Sequence, residues 1–292
     1  MKLGFICPNP PGHLNPMAAL ARHLQARNHD VVFLYSSGAA GLPFVPDNER
    51  DHFNEEDPGS TQSPLASITQ VPRAFDFESS HWPSQFHHTG PFHDGKGRDK
   101  VGFPWERLTG EPLIYASMGT VLNGRLDVFR TIVAGVAKHK DLQLVLSVGD
   151  QVDPEQIGPA PSNAIIVKQA PQLELLKQTS VCITDAGLNT VLESLAHGVL
   201  QVAIPVAYDQ PAVAARIAHK QTGVVTSLDK LTADHLSTLL NEVLNDATYL
   251  DNARKFQKAI AKANGLSVAA DLVEDSLGVH KKAKQQLKAE IA

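Results

Sequence analysis

The chain has 292 residues, of which 42% are hydrophobic and 20% charged, and its formal net charge is −5. This length and balance predict a globular protein with one large or two ordinary domains. The negative charge, with no concentrated basic face in residues 1–275, argues against nucleic acid as the main partner. No apolar run reaches the roughly 18 residues of a membrane span. Prolines at positions 8, 10 and 11 interrupt the first apolar stretch too early for a signal peptide.

The two cysteines, Cys7 and Cys182, each fall in a predicted buried strand. Buried thiols that pack as small apolar groups are typical of a reducing compartment. We therefore expect a cytoplasmic protein without a disulfide.

The first third of the chain predicts one β-α-β unit followed by irregular segments. Its strands are Leu3–Cys7 and Val31–Tyr35, and its helix is Met17–Arg27. A Pro- and Gly-rich loop with the sequence Gly-His-Leu-Asn-Pro precedes the helix and contains His13. Residues 36–67 show no helical or strand period and are rich in turn formers, so they are predicted as loop.

From residue 112 onward, strands and helices alternate. The predicted strands are Leu113–Ser117, Leu142–Val148, Ala164–Val167, Val181–Thr184, Gln201–Pro205 and Gly223–Thr226. The predicted helices are Leu126–Lys138, Leu188–His197, Pro211–Lys220, Leu231–Leu244, Tyr249–Ala263 and Leu266–Leu277. This alternation, with Gly-bearing turns after the strands, indicates a doubly wound parallel sheet.

The stretch from Asp185 to Glu193 is typical of an anion site. A strand that passes through the Asp185-Ala186-Gly187 turn into a helix leaves unpaired backbone N–H groups at the carboxyl edge of a sheet. Asn189 and Thr190 in the first helical turn can add hydrogen bonds to a phosphate, and Glu193 can accept from ribose hydroxyls.

Two further polar pieces flank that stretch. Gln172 can offer a donor and an acceptor to the edge of a base. Asp209 and Gln210, after the next strand, can bind sugar hydroxyls. Together these side chains suit a sugar nucleotide.

The three pieces also carry a resemblance to a known family. The order A-P-Q, then T-x-A-G-L-N-T-x-x-E-S, then D-Q resembles the donor-binding signature of UDP-sugar-dependent glycosyltransferases of the GT-B fold. The similarity is greatest to the bacterial enzymes that glycosylate small lipophilic acceptors such as macrolides and carotenoids.

The resemblance implies a GT-B-like α/β protein with a complete Rossmann-like C-terminal domain and a truncated N-terminal Rossmann-like portion. Residues 1–60 would be the truncated acceptor-side portion, and 61–110 the end of that domain with the linker. Residues 111–275 would form the nucleotide-sugar-binding domain, and 276–292 a basic tail whose contact with an anionic membrane is a minority interpretation. In the family the last helix crosses back onto the first domain.

The implied reaction is the inverting transfer of a hexose from a donor such as UDP-glucose to a hydroxyl of a small lipophilic acceptor. His13 matches the family's catalytic base, and neither a cofactor nor a metal is required. The histidines in the 81–93 region do not have zinc-site spacing. The implied donor-site residues are Ser117, Gly119, Thr120, Gln172, Asp185, Gly187, Asn189, Thr190, Glu193, Asp209 and Gln210.

The incomplete first domain and the residue at position 185 keep a second interpretation open, and Gln169 is a further departure from the family pattern. Asp185 stands where the family usually has a His that donates to the diphosphate, so a like-charge contact should weaken donor binding. Gln169 stands where many members have a Trp that stacks on uracil. The alternative is a shortened, catalytically weak or inactive nucleotide-sugar-binding protein; a nucleotide-sugar epimerase is a weaker rival.

Overall fold

The computed structural model describes residues 1–7, 11–35, 65–79, 82–96, 100–120 and 124–279. They fall into two compact units. Unit 1 comprises Met1–Gly97 and Ala263–Ala292, and unit 2 comprises Arg98–Lys262. Residues 36–64 of the loop predicted over 36–67, and all four lysines of the predicted basic tail, lie outside the described residues.

The described strands and helices follow the predicted alternation. The strands are β1 (Lys2–Cys7), β2 (Asp30–Tyr35), β3 (Ser67–Thr69), β4 (Phe86–His88), β5 (Leu113–Ser117), β6 (Gln143–Ser147), β7 (Ala164–Val167), β8 (Thr179–Thr184), β9 (Leu200–Ala203) and β10 (Gly223–Val225). The helices are α1 (Pro11–Ala26), α2 (Leu126–Val136), α3 (Gln172–Leu176), α4 (Leu188–Ala196), α5 (Gln210–His219), α6 (Ala233–Asn245), α7 (Ala247–Lys262) and α8 (Gly265–Ser276).

Unit 1 contains the predicted β-α-β unit. β1 and β2 pair in parallel, with Leu3 opposite Val31, and β3 pairs in parallel with β4. The apolar face of α1 packs against β1 and against Ala269 and Ala270 of α8. Gly265, at the start of α8, approaches the backbone so closely that a Cβ there would lie 2.5 Å from the carbonyl oxygen of Pro91. The expected return of the last helix to the first unit is therefore confirmed.

Helix α1 begins six residues before the predicted start at Met17. Pro11 occupies its first position, where a backbone N–H is not needed, and Pro16 lies inside the helix. Because Pro16 withholds its hydrogen bond only from a carbonyl of the first turn, the helix tolerates it. The prediction that Gly-His-Leu-Asn-Pro forms a loop is therefore wrong, and His13 lies in the first turn of α1.

Unit 2 is built on one six-stranded sheet. The strand order is β10-β9-β8-β5-β6-β7, and each pair of neighbours is parallel. The chain proceeds outward from β5 through β6 to β7, then returns to place β8 on the other side of β5. Helices cover the sheet, and its central strands are buried along nearly their whole length. The predicted doubly wound parallel sheet is confirmed; the short helix α3 was not predicted.

An ion-pair network in unit 1 holds α8 against the turn between α1 and β2. Glu274 Oε2 accepts from Arg27 Nη1 at 2.9 Å, and its Oε1 lies 2.9 Å from His29 Nε2. Burial alone would raise the pKa of Glu274, but the His29 hydrogen bond and the Arg27 charge outweigh burial and lower it. A carboxyl group with a lowered folded-state pKa contributes stability above its unfolded pKa and loses that contribution as the pH falls.

We predict that Glu274→Gln lowers the free energy of unfolding by about 1–3 kcal/mol at pH 7, because the buried hydrogen bonds of this side chain with Arg27 and His29 lose the carboxylate charge. The difference from the unmodified protein should shrink as the pH falls below about 4. Urea unfolding at pH 7 and pH 3.5 measures both effects. Asp271→Asn is the matched control, since Asp271 pairs with the same Arg27 but its side chain is 58% exposed. An equal loss in the two variants would contradict this account.

Candidate functional site

The carboxyl ends of β5, β8 and β9 bring most of the predicted site residues together. Ser117 pairs with Thr184, and Thr184 pairs with Ala203, so the three strands end side by side. The loops that follow them, with the strand and helix ends that flank these loops, form what we term the switch edge, residues 117–120, 185–190 and 204–210. β5 and β8 are the strands between which the sheet order reverses, and ligands of doubly wound sheets bind at such points.

The carboxylate of Asp185 is the centre of the switch edge. It is only 4% exposed. Its Oδ1 accepts from the backbone N–H of Gly187 at 3.1 Å and from Thr184 Oγ1 at 3.3 Å. Its Oδ2 accepts from Gln210 Nε2 at 2.7 Å. The side chain therefore joins the turn after β8 to the beginning of α5.

The loop after β5 also packs against this carboxylate. Gly119 has a φ of 71°, and a Cβ at that position would lie 2.3 Å from Asp185 Oδ2. Glycine is favoured there for both reasons, because the left-handed region penalises a side chain and the close approach leaves no space for one. Asp185 thus contacts all three loops of the switch edge.

Burial raises the pKa of Asp185. Hydrogen bonds from Gly187 and Thr184 act in the opposite direction, and the charge of Asp209 adds to the rise. The net effect favours the protonated form more than in an exposed aspartate. A second anion placed beside this carboxylate would favour that form further.

The amides of the turn itself are used inside the turn. The N–H of Gly187 donates to Asp185, and the N–H of Ala186 donates to Thr184 Oγ1 at 3.2 Å. The amides of Ala186 and Gly187 are therefore not among the unpaired N–H groups that the sequence leads one to expect after this strand. The physical reason is local, since an aspartate readily accepts from the amide two residues later.

The first turn of α4 follows immediately. Its first internal bond runs from the N–H of Val191 to the carbonyl oxygen of Gly187, at 3.1 Å. The half-buried residues Leu188, Asn189 and Thr190 therefore occupy the positions whose amides a helix does not bond within itself. An anion at the switch edge would meet this turn rather than the bend before it.

A second hydrogen-bond system surrounds Glu193, one turn further along α4. Gln172 Nε2 donates to Glu193 Oε2 at 2.6 Å and to Thr190 Oγ1 at 3.4 Å. Gln172 Oε1 accepts from the hydroxyl of Tyr115 at 3.1 Å. Both ends of the Gln172 amide are thus bonded within the protein, which differs from its predicted use on a base edge.

The predicted sugar-binding pair separates into one buried and one exposed residue. Gln210 is buried; besides its bond to Asp185, its Oε1 accepts from the backbone N–H groups of Val206 and Ala207, each at 2.8 Å. Asp209 is exposed just before α5. The structure therefore gives Gln210 a role in shaping the loop after β9 and presents only Asp209 at the surface.

The remaining predicted residues lie where the sequence indicates. Ser117 is half-buried at the end of β5, and Thr120 is exposed in the loop after it. Gln169 is exposed and bonds Asp150 at 3.4 Å. His13 belongs to unit 1, where its side chain is exposed, and its catalytic role stays a prediction.

Sequence reasoning missed Tyr115. It lies in the middle of an apolar strand and reads as a core residue, which it also is, at 2% exposure. The available signal was its hydroxyl, because a buried tyrosine usually has a hydrogen-bond partner.

Among the residues that the structure describes, no group of three or more His, Cys, Asp or Glu side chains could hold a metal ion. None of the helices described there combines the length and the apolar character needed to cross a bilayer.

Comparisons with known proteins agree on one family. Residues 107–262, more than half of the chain, match the family described as UDP-glucoronosyl and UDP-glucosyl transferase. The UDP-glucosyltransferase YdhE of Bacillus subtilis (strain 168), itself described as uncharacterized, is 31% identical over 209 residues, covering 72% of this chain and 52% of the relative. The zeaxanthin glucosyltransferase of Pantoea ananas is 30% identical over 214 residues, covering 73% of this chain and 49% of the relative.

A solved structure extends the likeness to the fold of nearly the whole chain. The crystal structure of the glycotransferase of kitacinnamycin superposes with a TM-score of 0.76 at 22% identity, covering 94% of this chain and 98% of that one. The GT-B fold class expected from the sequence is thereby confirmed. The chain spans about half the length of the curated relatives it matches.

The packing of Asp185 against the β5 loop is directly testable. We predict that Gly119→Ala costs about 1–3 kcal/mol of unfolding free energy beyond the penalty for a positive φ, because its Cβ would meet Asp185. Gly110→Ala is the control: its φ is 87°, and no described atom beyond its chain neighbours would lie within 4 Å of a Cβ there. Chemical denaturation of both variants gives the difference. The excess should vanish in an Asp185→Ala background, and its persistence there would contradict the contact.

Proposed function

The chain belongs to the UDP-glucoronosyl and UDP-glucosyl transferase family, and from this we propose that it binds a UDP-sugar at the switch edge and transfers the hexose to a hydroxyl of a small lipophilic acceptor. One observation carries the proposal. Residues from three separate loops, predicted from the sequence as one donor site, converge where the strand order of the unit 2 sheet reverses.

Each part of the UDP-sugar donor is assigned to residues whose chemistry suits it. The first turn of α4, with Asn189 and Thr190, is the part that we assign to the diphosphate, because the positive end of the helix dipole favours an anion. Glu193, held by Gln172, accepts from the ribose hydroxyls. Asp209 is the exposed acceptor for sugar hydroxyls.

The proposed chemistry is a single displacement. The imidazole of His13 takes the proton of the acceptor hydroxyl while the oxygen of that hydroxyl attacks the anomeric carbon of the sugar. The bond to the diphosphate breaks on the opposite face, so the configuration inverts. The α4 terminus and the hydrogen-bond donors beside it stabilise the charge on the departing UDP without a metal.

The proposal also includes a cytoplasmic location for the protein and a lipophilic acceptor. Burial raises the pKa of the Cys182 thiol to about 12, so this cysteine is an unreactive core residue suited to a reducing cytoplasm. The relative from Pantoea ananas is named for glucosylating zeaxanthin, a lipophilic acceptor of the proposed kind.

A second candidate function is nucleotide-sugar binding without transfer. The observation that favours it is the engagement of Gly187 and Gln210 by Asp185, because both donors are then unavailable to a substrate.

We predict that Asp185→Asn and Asp185→His each tighten UDP binding by about tenfold, which corresponds to removing one unfavourable charge contact. Isothermal titration with UDP measures the change. Uridine is the matched ligand, since it lacks the diphosphate, and its affinity should stay within about twofold. An unchanged UDP affinity would show that Asp185 does not act on the diphosphate.

Transfer is tested separately from binding. With UDP-glucose and a panel of phenols and polyprenoid alcohols, we predict product formation that falls about 10²- to 10⁴-fold in His13→Gln, since a general base is lost. The dissociation constant for UDP should not change in that variant. UDP binding without any transfer by the unmodified protein would contradict the proposed transferase and leave the binding function.

A further inference from the structure

The hydroxyl of Tyr115 connects the core of unit 2 to the predicted ribose site. Tyr115 comes from β5, in the centre of the sheet, and its ring packs among Leu113, Val145 and Cys182. Its hydroxyl donates to Gln172 Oε1, and Gln172 in turn donates to Glu193. A rigid strand is thus linked through one amide to a buried carboxylate on α4.

The chemistry of these three groups fixes the orientation of the amide. Oε2 of Glu193 accepts from the Nε2 end of Gln172, the only end of the amide that carries donors. The Oε1 end then faces Tyr115, whose hydroxyl is the donor that satisfies it. If the hydroxyl is removed, Oε1 of the half-buried Gln172 loses the bond from Tyr115, and only the Nε2 end of the amide stays held, by Glu193 and Thr190.

We infer that Tyr115 is a positioning residue that acts through Gln172 to hold Glu193 where it accepts from the ribose hydroxyls of the nucleotide, and so determines selectivity for ribonucleotides over deoxyribonucleotides. This inference rests on the proposed function, because it assigns a residue to the ribose end of the same site. A site built to hydrogen-bond a hydroxyl rejects the analogue that lacks it, and does so only while its own groups are aligned.

A purely structural role for Tyr115 predicts something different. Tyr115→Phe keeps the ring and therefore most of the core packing. If only stability were involved, all nucleotides would weaken by the same factor. A positioning role instead weakens the ligands that carry the hydroxyl and spares those that lack it.

The experiment compares UDP, 2′-deoxy-UDP and 3′-deoxy-UDP by titration of the full chain. We expect the unmodified protein to prefer UDP by about tenfold or more over at least one deoxy analogue. In Tyr115→Phe that ratio should fall to within about threefold, through a weaker UDP affinity. Tyr249→Phe is the matched control: it removes a 2.8 Å hydroxyl bond to Glu242, on a helix pair away from the switch edge, and should preserve the ratio.

A second variant keeps the inference falsifiable if Tyr115→Phe proves unstable. Gln172→Met has a similar volume without the amide, and should lose the same selectivity. Because Tyr115 is inferred to act through Gln172, adding Tyr115→Phe to Gln172→Met should not lower the ratio further. Equal weakening of all three nucleotides, or additive losses in the double variant, would overturn the inference alone. Flat titrations of the unmodified protein with all three nucleotides would overturn the proposed function as well.

Discussion

The switch edge depends on the hydrogen bonds and the packing around the buried carboxylate of Asp185. Gln210 Nε2 and the Gly187 amide both bond to it, and Gly119 packs against it without space for a Cβ. Without this acceptor, polar donors of the loops would be left unpaired beside the buried sheet, and an unpaired buried donor costs about 1–3 kcal/mol of folding free energy. One side chain therefore sets the shape of three loops.

That arrangement has a functional consequence. The donors of Gly187 and Gln210 that shape the edge are already bonded to Asp185, so an anionic ligand at the proposed site would lie beside an internal carboxylate. The proposed ribose end is organised differently, since Glu193 accepts a hydrogen bond from Gln172 and its carboxylate remains an acceptor. The site is accordingly expected to recognise the nucleoside part of its donor better than the charged part, which is the reverse of an ordinary helix-terminus phosphate site.

The sequence was sufficient to predict the strands of the sheet but not the hydrogen-bond partners of the site side chains. β5 and β7 were predicted with their observed bounds because buried parallel strands appear as continuous apolar runs between turn residues. The start of α1 was misplaced because two prolines each fit a helix start. The bond from Gly187 to Asp185 is local and could have been read from the residue type, whereas those joining Gln210 to Asp185 and Tyr115 to Gln172 span 25 and 57 residues and depend on the fold.

Amide hydrogen exchange with and without UDP tests most directly whether the switch edge is a nucleotide site. The account predicts slower exchange on adding UDP in peptides that cover residues 117–120, 185–193 and 206–210. Peptides from α6 and from α2 should keep their exchange rates, because those helices do not contribute to the edge. Protection confined to other parts of unit 2, or unchanged exchange throughout at saturating UDP, would contradict the account.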